Sequence, residues 1–169
     1  MSTKKDKISI KDKNYMKLAI NLARARKGLT GENPSVGCLI VKKDKIISIG
    51  QTGYNGRPHA ETNAINNSFQ DLSGTKMYLT LEPCNHYGKT PPCTKLILEK
   101  GIRNVIIGSK DPNRDVKGGG IKTLISNGCN VEYGIMKEEC DLLNKRFFTF
   151  QNQKRPYIIL KWAESKDGY

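Results

Sequence analysis

The chain has 169 residues, with 29 Lys and Arg against 16 Asp and Glu and a formal net charge of +13. That length suits one α/β domain with a full core and leaves little for a second. No apolar run is long enough to span a bilayer, the polar start MSTKKDKISIKDK is not expected to be a secretory signal, and five irregularly spaced cysteines argue against a disulfide framework and for a reducing, cytoplasmic location.

Residues 1–13 are expected to form a flexible basic tail. A helix is predicted from Asn14, with Tyr15, Leu18, Ala19, Leu22 and Ala23 at helical spacing and an end near Gly28. Val36 to Val41, a turn-like stretch and Ile46 to Gly50 predict a hairpin. A helix should begin near His59, and a strand over Met77 to Leu81 should deliver Pro83 and Cys84. Pro91 and Pro92 then open a helix that Gly101 stops. Further along come a strand over Asn104 to Gly108, a helix over Gly120 to Asn127, a strand over Asn130 to Tyr133 and one long helix over Lys137 to Phe150. The final segment RPYIILKWAESKDGY reads as the opening of another strand. Strand and helix alternating after a hairpin imply an α/β fold, a mixed sheet with helices on both faces.

Two short stretches carry the chemistry: PHAE at 58–61 and LEPCNHYGKTPPC at 81–93. Structural zinc sites close four protein ligands around the metal, whereas catalytic ones use three and leave a position for water. Here His59, Cys84 and Cys93 stand as three ligands for one Zn²⁺ per chain, and Glu61 lies two residues past the His. That set fits hydrolytic deamination, in which zinc activates water and a carboxylate that is not a ligand shuttles its proton. Positions i and i+2 diverge inside a regular helix, so His59 and Glu61 belong at the extreme start of one. Cys93 after Pro91-Pro92 belongs in a first turn as well, where the helix dipole favours a thiolate. Cys38, Cys129 and Cys140 read as core residues.

The separation of Cys84 and Cys93 by NHYGKTPP, longer than the usual PCxxC, is where a family likeness appears. With NPSVGC, DPN, GGGI and LNKRFF, it resembles the deaminase domain of the bacterial bifunctional riboflavin-biosynthesis deaminase/reductase. The resemblance implies a three-layer αβα cytidine-deaminase-like fold. It implies a zinc deaminase domain over 14–152, and over 153–169 the first strand of a truncated or missing reductase domain, so that NADPH would matter only with a reductase present. The implied reaction is hydrolytic deamination of a diaminopyrimidinone ribosylamino 5′-phosphate. The implied substrate contacts are Asn33, His86, Lys89, Asp111 and Asn113. Amides at Asn33 and Asn113 suit a pyrimidinone edge, although both also fit as turn residues beside proline; Lys89 suits a phosphate. The chain departs from the family pattern at Thr52, where a His is usual.

A basic surface gains affinity for nucleic acid by counterion release. These charges are scattered and lack interleaved aromatics, so the expected partner is a small phosphorylated pyrimidine, with neither nucleic acid nor membrane; assembly into a homo-oligomer stays open. A zinc deaminase of tRNA or of another nucleobase or nucleoside is the alternative, using the same metal chemistry.

Overall fold

The computed structural model describes residues 9–88, 90–113 and 119–168. Its strands are β1 (Gly37–Lys42), β2 (Lys45–Gln51), β3 (Lys76–Leu81), β4 (Asn104–Ser109) and β5 (Asn130–Tyr133). Its α-helices are α1 (Ile10–Arg24), α2 (Ala60–Asn66), α3 (Cys93–Glu99), α4 (Gly119–Ser126), α5 (Lys137–Leu143) and α6 (Lys145–Gln153). The strands form one sheet in the order β2-β1-β3-β4-β5. β1 runs antiparallel to both neighbours, with Cys38 opposite Gly50 and Leu39 opposite Tyr78, whereas β3, β4 and β5 are parallel. The hairpin closes through Lys43 and Asp44, both at positive φ, the twist that a two-residue connection between antiparallel strands needs.

Alternate residues of the central strands serve two cores. Cys38, Ile40, Met77, Leu79, Val105 and Ile107 face α2, α3 and α4, burying Ala64, Ile97 and Leu124. Leu39, Val41, Tyr78 and Ile106 face the other way, onto Met16, Ala19 and Ile20 of α1 and Cys140 of α5. Strands covered on both faces have no polar alternation to show, which is why Leu39-Ile40-Val41 is continuously apolar. The three-layer αβα arrangement follows.

α1 begins at Ile10, four residues ahead of the expected Asn14, so residues 10–13, assigned to the tail over 1–13, are helical, and residues 1–8 of that tail lie outside the described residues. Its first turn is polar and invisible to apolar periodicity, but Ser9 caps it by accepting the Asp12 N–H at 3.0 Å. The buried face is also rotated: Met16, Ala19, Ile20 and Ala23 are inside, while Leu18 is 45% exposed. Asp12 fastens the helix to the sheet, accepting from Ser9 Oγ at 2.6 Å, Tyr78 Oη at 2.7 Å and Lys76 Nζ at 3.2 Å. Burial raises the Asp12 carboxyl, yet these three hydrogen bonds and the Lys76 charge outweigh it and hold the group below its ordinary 3.8. A depressed folded pKa stabilises the fold above the unfolded value and loses that stabilisation as pH falls through the folded one. Asp12→Ala is therefore expected to destabilise at pH 7 by roughly 1–3 kcal/mol, with a gap to wild type that narrows below about pH 4; urea unfolding at both pH values measures it, and a pH-independent gap would contradict this account.

The long helix expected over Lys137 to Phe150 is broken at Asn144, with φ −113° and ψ 29°. No Gly or Pro marks the break, because its cause is tertiary. The Asn144 side chain accepts the Ser35 N–H at 2.8 Å and donates to the Ser35 carbonyl at 2.9 Å, both buried. The expected terminal strand is likewise not seen: residues 156–164 have no regular secondary structure and join no strand among the described residues, and Ile158, Leu160 and Trp162 are 66%, 79% and 73% exposed. Among the described residues no helix is long and apolar enough to cross a membrane.

Candidate active site

Two helix starts and the ends of two parallel strands converge at one end of the sheet, where ligands sit in open α/β folds. His59 is the residue preceding α2, in extended conformation, so its ring leaves the helix end rather than its side, and Glu61 follows in the first turn. α2 lies flush on β2 because Gly50 permits it: a Cβ there would stand 2.1 Å from the Ala60 carbonyl oxygen. β3 ends at Leu81 and delivers Cys84, while Cys93 is the first residue of α3, after Pro92. The Cys93 N–H donates to Cys84 Sγ at 3.3 Å and the Thr94 N–H to the Cys84 carbonyl at 3.2 Å, locking the two ligand segments together.

His59 Nδ1 lies 3.3 Å from Cys93 Sγ and 3.6 Å from Cys84 Sγ, and the three donor atoms fall within 4.8 Å of one another. Tetrahedral zinc with Zn–N of ~2.0–2.1 Å and Zn–S of ~2.3 Å separates such donors by roughly 3.5 Å, so the residues fit the metal. No fourth His, Cys, Asp or Glu joins this group among the described residues, as expected of a site that keeps a position for water. The Cys84 thiol is pulled down to about 4, first by its hydrogen bond with Cys93 and also by His59. Cys93 is pushed up as the donor in that bond and by burial. Glu61 is 4% exposed, and burial first of all raises its carboxyl to about 7.

A cavity of about 150 Å³ opens over this group, walled by His59, Glu61 and Cys84. Asn33, His86, Asp111 and Asn113 line the same cavity, so four of the five expected substrate contacts share a wall with the donor set. Lys89, the fifth, lies outside the described residues. Asp111 is buried, with its carboxyl raised to about 6 by burial first, and its Oδ1 accepts the Asn113 N–H at 2.8 Å.

Several lining residues escaped the sequence reading. Glu82, 4% exposed, accepts the Asp111 N–H at 3.1 Å and the Ile121 N–H at 3.0 Å, tying the strand end before Cys84 to both sides of the β4–α4 connection. Its place in LEPC, a carboxylate directly after a buried strand, was the available signal. Phe147 of α6 enters the wall from the far end of the chain, and Arg57 stands at the rim. Thr52 is 2% exposed and fully engaged, its Oγ1 accepting the Val36 N–H at 2.8 Å and donating to the Pro34 carbonyl at 3.2 Å. It therefore pins the strand entry behind Asn33.

A nitrogen-and-two-sulfur donor set at two helix starts and a strand end, with a buried carboxylate beside it that does not join it, defines the class of zinc-dependent deaminases. Residues 9–109 match the family model for the cytidine and deoxycytidylate deaminase zinc-binding region. The chain is 46% identical over 139 residues to the diaminohydroxyphosphoribosylamino-pyrimidine deaminase of Buchnera aphidicola subsp. Schizaphis graminum, covering 82% of this chain and 95% of that relative. It belongs to this deaminase family. It is also 47% identical over 157 residues to the riboflavin biosynthesis protein RibD of Aquifex aeolicus, 93% of this chain but 44% of that protein. The crystal structure of the diaminohydroxyphosphoribosylaminopyrimidine deaminase/5-amino-6-(5-phosphoribosylamino)uracil reductase of Thermotoga maritima superposes with a TM-score of 0.84 at 44% identity, covering 92% of this chain and 45% of that one. The chain thus spans a little under half the length of these two longer relatives.

Proposed function

We propose that this chain hydrolytically deaminates 2,5-diamino-6-ribosylamino-4(3H)-pyrimidinone 5′-phosphate, exchanging a ring amino group for oxygen and releasing ammonia. The observation that carries the reading is the shared cavity: Glu61, His59 and Cys84 line the same space of about 150 Å³ as Asn33, His86, Asp111 and Asn113. His59, Cys84 and Cys93 would hold a zinc ion, which when bound supplies a Lewis acid able to bring the pKa of a water toward neutrality. Glu61 takes a proton from the attacking water and passes it to the ring nitrogen beside the carbon under attack, then takes the remaining hydroxyl proton of the tetrahedral adduct and delivers it to the amine as the C–N bond breaks, leaving a carbonyl and ammonia. A carboxyl raised to about 7 by burial is matched to both directions of that transfer. Asn33 and Asn113 offer amides to the pyrimidinone edge, and Asp111, anchored through Glu82, accepts from a ring amino group. Lys89 is proposed to meet the phosphate. NADPH enters only for a protein in which a reductase domain follows this unit. The partner is a small phosphorylated pyrimidine, and five free cysteines support a reducing cytoplasmic setting.

Ammonia release from the phosphorylated diaminopyrimidinone, beside cytidine and tRNA at equal concentration, tests the assignment. Turnover of the diaminopyrimidinone at least 100-fold above the other two is expected, in line with a polar pocket that rejects ligands lacking its hydrogen-bonding groups. Preferred turnover of tRNA or cytidine would overturn it.

A further inference from the structure

Phosphate on a substrate needs cations near the cavity; apart from Lys89, proposed above and outside the described residues, the charged lining includes the carboxylates Glu61, Glu82 and Asp111. Among the described residues that line this cavity, Arg57 alone has a permanent positive charge. Its backbone is held in a closed turn. The Gly53 N–H donates to the Pro58 carbonyl at 2.9 Å and the Gly56 N–H to the Gly53 carbonyl at 3.0 Å. A Cβ at Gly53 would stand only 2.1 Å from the Arg57 carbonyl oxygen. The half-buried side chain reaches across the rim, where Nη1 donates to Thr90 Oγ1 at 2.6 Å. Nη2 passes over Gly88, 3.4 Å from where a Cβ would be. No ion pair engages Arg57 among the described residues.

We infer that Arg57 is a specificity-determining residue of the proposed reaction: latched to Thr90, its guanidinium receives the 5′-phosphate of the substrate at the cavity rim. The inference rests on the functional reading above. It also sets the substrate's direction, with the ring toward Glu61 and the phosphate on the side of the loop between Cys84 and Cys93. A guanidinium presents several donors in a rigid plane, so one can hold Thr90 while the others face phosphate oxygens. A wider groove that shares Asn33, Asn113 and Phe147 with this cavity contains Lys27, Lys145 and Arg146. There Glu32 sits among the cations, and Lys145 Nζ already lies 4.6 Å over the Tyr157 ring. Of these cations, Arg57 is the one that lines the cavity containing Glu61.

The test uses the zinc-loaded full chain and Arg57→Gln, which keeps a polar side chain at the position while removing the charge. KM for the phosphorylated diaminopyrimidinone should rise roughly 10- to 100-fold, the range for one charge-assisted hydrogen bond, with kcat within about threefold. KM for the dephosphorylated compound and the zinc content should not move, and Arg57→Lys should recover part of the loss. Ribose 5-phosphate binding by calorimetry supplies a readout free of turnover, and should weaken in parallel. Equal KM changes for both substrates, a fall in kcat alone, or loss of ribose 5-phosphate affinity in Lys145→Gln/Arg146→Gln rather than Arg57→Gln would overturn the inference. Wild-type protein that binds ribose 5-phosphate through Arg57 yet leaves the diaminopyrimidinone unchanged would instead remove the functional reading.

Discussion

Glu61→Gln is expected to lower deamination by roughly 10²- to 10⁴-fold, the usual share of a positioned general acid–base, while zinc content and fold stay as in wild type. The amide has the same shape and occupies the same first turn of α2, so packing against β2 is preserved. Burial already pushes the Glu61 carboxyl to about 7, so a neutral group at this position is tolerated by its surroundings. What the amide lacks is a proton to exchange. Because the lost interaction acts in the chemical step, kcat should fall and KM should move little. Steady-state ammonia release, metal analysis and circular dichroism on one preparation decide it. Near-normal turnover would remove Glu61 from the proton path.

Cys84→Ala has a different signature, loss of the metal itself. Wild type should purify with about one zinc per chain, given three ligands and an open position. The variant keeps only His59 and Cys93, and it also removes the sulfur that accepts the Cys93 N–H at 3.3 Å. Zinc affinity should fall by more than the 10- to 100-fold typical of losing an outer hydrogen-bond partner of a ligand, and ammonia release should become undetectable. Chelator competition followed by elemental analysis measures the first effect. A Cys84→Ala protein holding full zinc would mean that another donor completes the site.

The convergence of His59, Cys84 and Cys93 beside Glu61 was legible because its pattern is local: PHAE and PC…PPC each place one of the donors at a helix start, and prolines beside them announce those starts. The sheet was legible from Leu39-Ile40-Val41 and its counterparts, whose unbroken apolarity admits few arrangements. What stayed hidden is set by distant partners. The kink at Asn144 exists because Ser35 presents both backbone groups to one amide, a fact that no window of sequence contains. The rotated face of α1 is decided by Tyr78 and the sheet, since Leu18 and Leu22 are as apolar as Met16 and Ile20. Arg57 carries no motif of its own, and its position over Gly88 and Thr90 appears only once β2 and the loop after β3 are folded together. The apolar segment over 156–164 has the composition of a strand but pairs with no strand among the described residues.

The loop between Cys84 and Cys93 spans eight residues, and both of its flanks are sulfurs of the group that could hold a metal ion. A bound ion therefore closes it as a cross-link would, removing chain entropy from the loosened state in the way a disulfide does. Arg57 adds a second tether at Thr90. Metal loading and rim ligand then draw on the same ordered loop. By thermodynamic reciprocity, whatever factor the ion adds to the affinity for an anionic ligand at the rim, that ligand must return to the affinity for the ion.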